Sequence, residues 1–195
     1  MTQLLETIQC IDGKPQHLIW HQRRFNQARQ QLFQAQSNID LSTLFEQTPK
    51  IGVCRCRILY SQQIEKVEFI SYQQPHLRNF KLITADNLDY SFKYADRRAI
   101  NTLVAQKQQA DDIIIIKNQQ ITDTSIANLA FWDGQQWLTP ATPLLTGTTR
   151  ARLLEQGLIK AAIITPDALQ TYSKIALLNA LLGFHVIESP KIING

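Results

Sequence analysis

The chain has 195 residues, 44% hydrophobic and 18% charged, which fits a globular protein of one large domain or two small ones. Its net charge of +4 permits an anionic partner, but the basic residues are scattered apart from Arg23/Arg24, Arg55/Arg57 and Arg97/Arg98, which suits phosphate on a small molecule better than nucleic acid. No apolar run beyond the strand-sized Ile113–Ile116 approaches membrane-spanning length, and "MTQLLETIQCIDG" has no basic leader and carries Glu6, so a cytoplasmic protein without secretory signal or membrane segment is expected.

In chain order, Leu4–Ile11 reads as a strand and Ile11–Pro15 ("IDGKP") as a turn. Helical periodicity runs from His17 to Gln36, with Leu18, Phe25, Ala28 and Leu32 on one face and His21 and Arg24 beside it. A short helix is expected at Asp40–Gln47. The stretches "IGVCRCRILY" and "IEKVEFISY" then alternate like two antiparallel strands. The polar "QQPHLRN" (Gln73–Asn79) reads as a linker, so lobes are expected at residues 1–78 and 79–195. The second lobe opens with the strand "FKLITA" and a helix from about Tyr90 to Gln109. Next come a strand at Asp112–Lys117 and a strand "ITDTSIANLAFW" that turns at Asp133–Gly134 into "WLTP". "PLLTGTTRARLLEQG" reads as a loop feeding a helix that ends at Gly157, and two further apolar segments close the chain. Strands and helices mix without strict βαβ alternation, which favours two α+β lobes over a doubly wound sheet.

Cys10, Cys54 and Cys56 form no CxxC pair and the four histidines are dispersed, so neither a disulfide framework nor a structural metal is expected. Asp123 and Asn128 interrupt an apolar strand. Either Asp123 caps a turn and Asn128 faces solvent, or Asp123 is a buried carboxylate awaiting a cation, because a buried carboxylate is costly unless paired. "TGTTR" (Thr146–Arg150) opens a helix; glycine permits close approach and free N–H groups there bind anions, although threonine at a helix start also serves capping alone. Lys93, placed near the start of the expected Tyr90–Gln109 helix, would share a face with Asp96 and Arg97. It is either part of a solvated ion-pair face or an amine whose proton affinity Arg97 lowers. Arg24 is a snorkelling surface arginine or an anion anchor, and Asn179 is a helix-surface residue or a site donor.

The order of these features resembles the class IV aminotransferase family, the fold type IV pyridoxal-phosphate enzymes. The resemblance runs through "ETIQCIDGKPQHLIWHQRRF", "FKYADRRAIN", "ITDTSIANLAFWDGQQWLTP", "GTTR" and "LLNAL". The family includes branched-chain and D-amino acid aminotransferases and 4-amino-4-deoxychorismate lyases. The resemblance implies a two-lobed α+β fold like that of D-amino acid aminotransferase, each lobe a mainly antiparallel sheet with helices. It implies pyridoxal 5'-phosphate as cofactor and Lys93 as the catalytic lysine, holding it as an internal aldimine (a Schiff base) from the second lobe. Asp123 falls where the family has a glutamate that pairs with the pyridine nitrogen. Arg24, Gly147, Thr148 and Thr149 match phosphate-binding positions, and Asn179 matches a site residue of the lyase branch. Arg97 and Asn128 match supporting positions. The resemblance further implies a small-molecule amino substrate and a homodimer; the scattered basic residues give no expectation of a nucleic-acid partner. Several positions depart from the family pattern: Asp123 is one methylene shorter than glutamate, Thr148 replaces an aliphatic residue, Arg98 stands where a tyrosine is common, and Gln9 replaces an arginine. "K-x-x-D-R" and "NAL" tilt the reading toward the lyase branch. Two other readings stand beside it: a protein that keeps the cofactor fold without turnover, and a basic binding protein that is not an enzyme.

Overall fold

A computed structural model describes residues 2–193. The chain forms two compact units, Met1–Gln74 with Phe92–Asp96, and Pro75–Ser91 with Arg97–Gly195.

In the first unit, β1 (Leu4–Ile11) turns through Gly13 into β2 (Lys14–Pro15) and α1 (Leu18–Phe33). After a 3-10 turn at Leu41–Leu44, capped by the Asp40 carboxylate on Ser42 N, come β3 (Val53–Tyr60) and β4 (Ile64–Ser71). Among the described residues the strands form an antiparallel sheet in the order β2-β1-β3-β4. Alternation places Leu4, Ile8 and Cys10 on one face of β1, where they pack with Phe25 and Ala28 of α1 and Cys54, Cys56, Ile58 and Tyr60 of β3. All three cysteines are thus core residues; burial pushes the Cys10 and Cys56 thiols up to about 12. Of the expected stripe on α1, Phe25 and Ala28 are buried and Leu18 packs partly buried against the same core; Leu32 is exposed, and His21 and Arg29 are buried as well. The helix stops at Gln34, whose left-handed conformation (φ 54) turns its N–H onto the carbonyls of Arg29 and Gln30.

In the second unit, β5 (Asn79–Thr84) and β6 (Asp112–Lys117) pair in parallel, and the chain between them carries α2 (Arg98–Val104). A meander follows: β7 (Gln120–Thr124), β8 (Asn128–Trp132) and β9 (Trp137–Pro140), then α3 (Thr148–Glu155) and β10 (Lys160–Ala162). The hairpin of β11 (Lys174–Asn179) and β12 (Gly183–Glu188) pairs through β11 with β8, and β13 (Lys191–Ile193) runs parallel to β5. The main path of this sheet is β10-β9-β8-β7-β6-β5-β13 among the described residues. One core packs Phe80, Ile114, Ile121, Leu129, Phe131, Ile175 and Leu177; on the other face Leu153 of α3 packs with Ala130, Ala176 and Leu178. Among the described residues no helix is long and apolar enough to cross a membrane, and no group of three or more histidine, cysteine or acidic side chains is arranged to hold a metal.

Three expectations are corrected. The helix expected from Tyr90 to Gln109 is confined to Arg98–Val104, followed by a 3-10 turn at Ala105–Lys107. The Asp89 carboxylate draws Ser91 N and Oγ into a local turn. Downstream, Leu5 N donates to Lys93 O (2.9 Å) and Ala95 N to Gln3 O (2.9 Å), so sheet pairing with β1 replaces helical hydrogen bonds. The same bonds place Lys93 in the first unit, although the expected boundary at residues 78/79 assigned it to the second. "ITDTSIANLAFW" is two strands, not one. Thr124 Oγ1 accepts Ala127 N (3.0 Å) and Ile126 N (3.2 Å), folding residues 125–127 into a turn between β7 and β8.

Candidate functional site

The first unit carries a buried charge cluster on β1 and α1. Glu6 shares the inward face of β1 with Leu4, Ile8 and Cys10, and all four are 0% exposed. Its Oε1 accepts from Arg24 Nε (2.8 Å) and its Oε2 from Arg24 Nη2 (2.7 Å), a bidentate pair. His21, one helical turn before Arg24, lies with Nδ1 2.8 Å from Glu6 Oε2. Burial pushes the Glu6 carboxyl up, but the Arg24 guanidinium and the hydrogen bonds from His21 and Arg24 outweigh it and hold the carboxyl at about 2. For His21 burial dominates and lowers the pKa against the pull of Glu6; the charges of Arg24 and Lys93 lower it further. His21 is therefore a neutral imidazole that donates from Nδ1. Lys93 is half-buried and is anchored through its carbonyl to Leu5, the neighbour of Glu6.

The second unit holds seven of the sequence-derived candidates, and five of them, Asp123, Asn128, Gly147, Thr148 and Thr149, lie on β7, β8 and the start of α3. Asp123 and Asn128 are register partners across β7 and β8, and both side chains are buried. Asn128 Nδ2 donates to Asp123 Oδ1 (2.7 Å) and to Leu145 O (2.8 Å), while Leu145 N donates to Asp123 Oδ2 (3.0 Å). Asp123 therefore does not cap a turn, and Asn128 does not face solvent. Burial raises the Asp123 carboxyl to about 6 against the lowering effect of these donors and of the Arg150 charge.

The third contact of Asn128 explains the glycine. A Cβ on Gly147 would lie 2.0 Å from Asn128 Oδ1, so only glycine fits where the chain enters α3. Gly147→Ala is expected to cost about 1–3 kcal/mol through overpacking. The cost should shrink in an Asn128→Ala background, and a thermal-melt double-mutant cycle with purely additive effects would contradict the contact. Gly147 caps α3 in an extended conformation without a side-chain hydrogen bond, and Thr148 and Thr149 are buried in the first turn. The first-turn N–H groups, with two hydroxyls beside them, suit an anion.

Arg97 and Asn179 converge on the turn between β7 and β8. Arg97 Nη2 donates to Ser125 O (2.8 Å), and Asn179 Nδ2 donates to Ile126 O (3.2 Å). Asn179 ends β11 and is not on a helix; its Oδ1 accepts Leu181 N and Leu182 N to close the β11–β12 turn. Two residues went unread in the sequence. Glu6 reads first as an acid near the N-terminus, yet its place in the alternation Leu4-x-Glu6-x-Ile8-x-Cys10 marks it as inward-facing. Arg150 is buried on α3 and donates from Nε to Thr139 Oγ1 (3.2 Å) and from Nη2 to Pro140 O (2.7 Å). Nothing in "GTTR" distinguishes that inward arginine from a surface one.

Residues 3–189 match the profile of the family described as amino-transferase class IV. A Haemophilus influenzae protein of unassigned function is 37% identical over 188 residues, 94% of this chain and 100% of its own. The crystal structure of a candidate 4-amino-4-deoxychorismate lyase from Haemophilus somnus superposes with a TM-score of 0.83 at 36% identity, covering 94% of this chain and 98% of that one. A hypothetical aminotransferase from Mycobacterium tuberculosis, in its PLP-bound form, shares the fold alone at 17% identity (TM-score 0.73, 97% of this chain and 83% of that one).

Proposed function

The chain belongs to the class IV aminotransferase family, whose members depend on pyridoxal phosphate, and on that premise we propose that it is a pyridoxal-phosphate enzyme acting on an amino acid or another amino-bearing carboxylate. The observation that carries this reading is the buried Asp123 carboxylate. Its oxygens accept from neutral donors, and Asn128 ties it to the glycine-capped start of α3. A carboxylate offers about four acceptor sites, so Asp123 retains capacity for a protonated ring nitrogen. The helix start beside it, with Gly147, Thr148 and Thr149, has the donor chemistry of a phosphate cradle. The residues present therefore fit the cofactor.

Pyridoxal phosphate, when bound, supplies a carbonyl that condenses with amines and a protonated ring that takes up the electron pair left on the substrate carbon. Lys93 Nζ would be the attachment point and the base for the proton on the substrate carbon. Asp123 would pair with the ring nitrogen and hold its proton. Arg24, oriented by Glu6 in the first unit, and the Gly147–Thr149 turn of the second would each offer donors to a phosphate. Arg97 and Asn179 hold the turn that joins Asp123 to Asn128. Within the family the lyase-like reaction is favoured, supported by "K-x-x-D-R", "NAL" and the 36% identity to the Haemophilus somnus protein. A homodimer and a cytoplasmic location belong to the same proposal.

Pure protein mixed with pyridoxal phosphate is expected to turn yellow, and borohydride to fix the label on Lys93. The loaded protein is expected to release 4-aminobenzoate and pyruvate from 4-amino-4-deoxychorismate. Lys93→Ala should lose the specific label and lower turnover by at least about 10²–10⁴-fold, the range for removal of a general base. Labelling spread over surface lysines would overturn the cofactor assignment. Labelling confined to Lys93 without turnover of that substrate or of a panel of D- and L-amino acids would overturn the enzyme assignment.

A further inference from the structure

Arg150 is a buried guanidinium that donates to neutral acceptors, Thr139 Oγ1 and Pro140 O. Such a charge is costly to bury, and helix docking alone could be done by an apolar side chain. Its surroundings give it two connections. Thr139 Oγ1, which accepts from Arg150 Nε, itself donates to Leu129 O (2.7 Å), next in the chain to Asn128. Arg150 also stands three residues after Gly147, the residue against which Asn128 packs. The start of α3 is thus fixed to the β8–β9 hairpin at two points, Asn128 on Gly147 and Arg150 on Thr139 and Pro140. Burial raises the Asp123 carboxyl, and the Asn128 amide, the Leu145 N–H, the Arg150 charge and the Leu144 N–H pull the other way.

We propose that Arg150 is a positioning residue that locks the first turn of α3 to the β8–β9 hairpin and, without bonding to Asp123, adds a positive charge that favours the ionised form of this buried carboxylate. Since Asp123 spends its hydrogen bonds on neutral partners, its charge remains available to a cationic ligand. The value of this arrangement to the protein rests on the cofactor reading above, but the link between Arg150 and Asp123 is a property of the chain itself and is measurable without cofactor.

The test follows the Asp123 carboxyl carbon by 13C NMR as pH is varied, in the cofactor-free full-length protein. Arg150→Gln, which can still donate to Thr139 or Pro140, is expected to move the Asp123 midpoint upward by about one pH unit, the low end for loss of a nearby opposite charge. Arg150→Lys is expected to bring it back toward the wild-type position. A folded Arg150→Gln protein with the wild-type midpoint would overturn the proposal. Should the glutamine variant not fold, the folded lysine variant decides: a wild-type-like midpoint supports the proposal and a large upward shift overturns it. Borohydride labelling of Lys93 in the wild type is read separately, so its failure would count against the cofactor assignment and leave the Arg150 result standing.

Discussion

Glu6→Ala is expected to lower the stability of the first unit by about 3–5 kcal/mol, the cost of leaving buried charge without its partner. The substitution removes the acceptor for Arg24 Nε and Nη2 and for His21 Nδ1 at once. Urea denaturation at pH 7 measures it, and a cost under about 1 kcal/mol, typical of a surface site, would contradict the cluster. The joint replacement Glu6→Leu with Arg24→Met is expected to recover most of the loss, because leucine continues the Leu4, Ile8, Cys10 face and leaves no charge behind. If so, the ion pair is kept for what it orients and not for stability. The pH dependence has a definite sign. The Glu6 carboxyl is held at about 2, below its ordinary 4.5, so its contribution is complete above pH 4.5 and is lost as pH falls toward 2. The difference between wild type and Glu6→Gln should therefore shrink below pH 4.5.

Asp123 is expected to act in the opposite sense. Its carboxyl is raised from the ordinary 3.8 to about 6, so the folded state favours the neutral form. That stability is fully present below pH 3.8 and is lost as pH rises through 6. The full effect corresponds to about 3 kcal/mol. Asp112, also raised by burial, and His21 titrate in the wild type as well, so the measurement is a difference. Between pH 4 and pH 7 the wild type should lose about 2 kcal/mol, most of the full effect, relative to Asp123→Asn. The asparagine amide would face Leu145 N with a donor or strain the bond to Asn128, but that penalty is the same at each pH and drops out of the slope. Parallel stability–pH curves for the two proteins would contradict the buried, cation-seeking carboxylate. The neutral-pH cost of Asp123 is the clearest sign in the second unit that a residue is retained against stability, and a bound cation is what would offset it.

Much of the strand framework was legible in the sequence. The alternation of Leu4–Ile11 and the compact run Asp112–Lys117 give their strands to the residue, and the β8–β9 hairpin follows the Asp133–Gly134 signal. The turn itself is wider, since the Asp133 carboxylate accepts from both Gln135 N and Gln136 N. What failed was local periodicity under tertiary competition. The segment ahead of Arg98 has apolar spacing compatible with a helix, yet β1 offers its backbone as a sheet partner, and that pairing lies almost ninety positions away in the chain. In the candidate site, Asp123, Asn128 and Gly147 were visible as anomalies within a motif. Their mutual hydrogen bonds were not, because the link through Leu145 and the fit of Asn128 against a missing Cβ are facts of three-dimensional approach. Glu6 and Arg150 were hidden for a related reason: a lone ionisable residue in a strand or helix reads as solvated until its burial is known.

The pairing of residues 93–95 with β1 also bears on the order in which the protein is made. The chain emerges from the ribosome N-terminus first, and domains generally fold as units during synthesis. Most of the first unit is encoded by residues up to Gln74, yet Phe92–Asp96 belongs to it as well. The edge at Leu4 and Leu5 therefore waits, unsatisfied, until a stretch from beyond β5 has been delivered. Lys93 rides on that late-arriving stretch, so completion of the first folding unit and placement of the proposed catalytic amine are a single event.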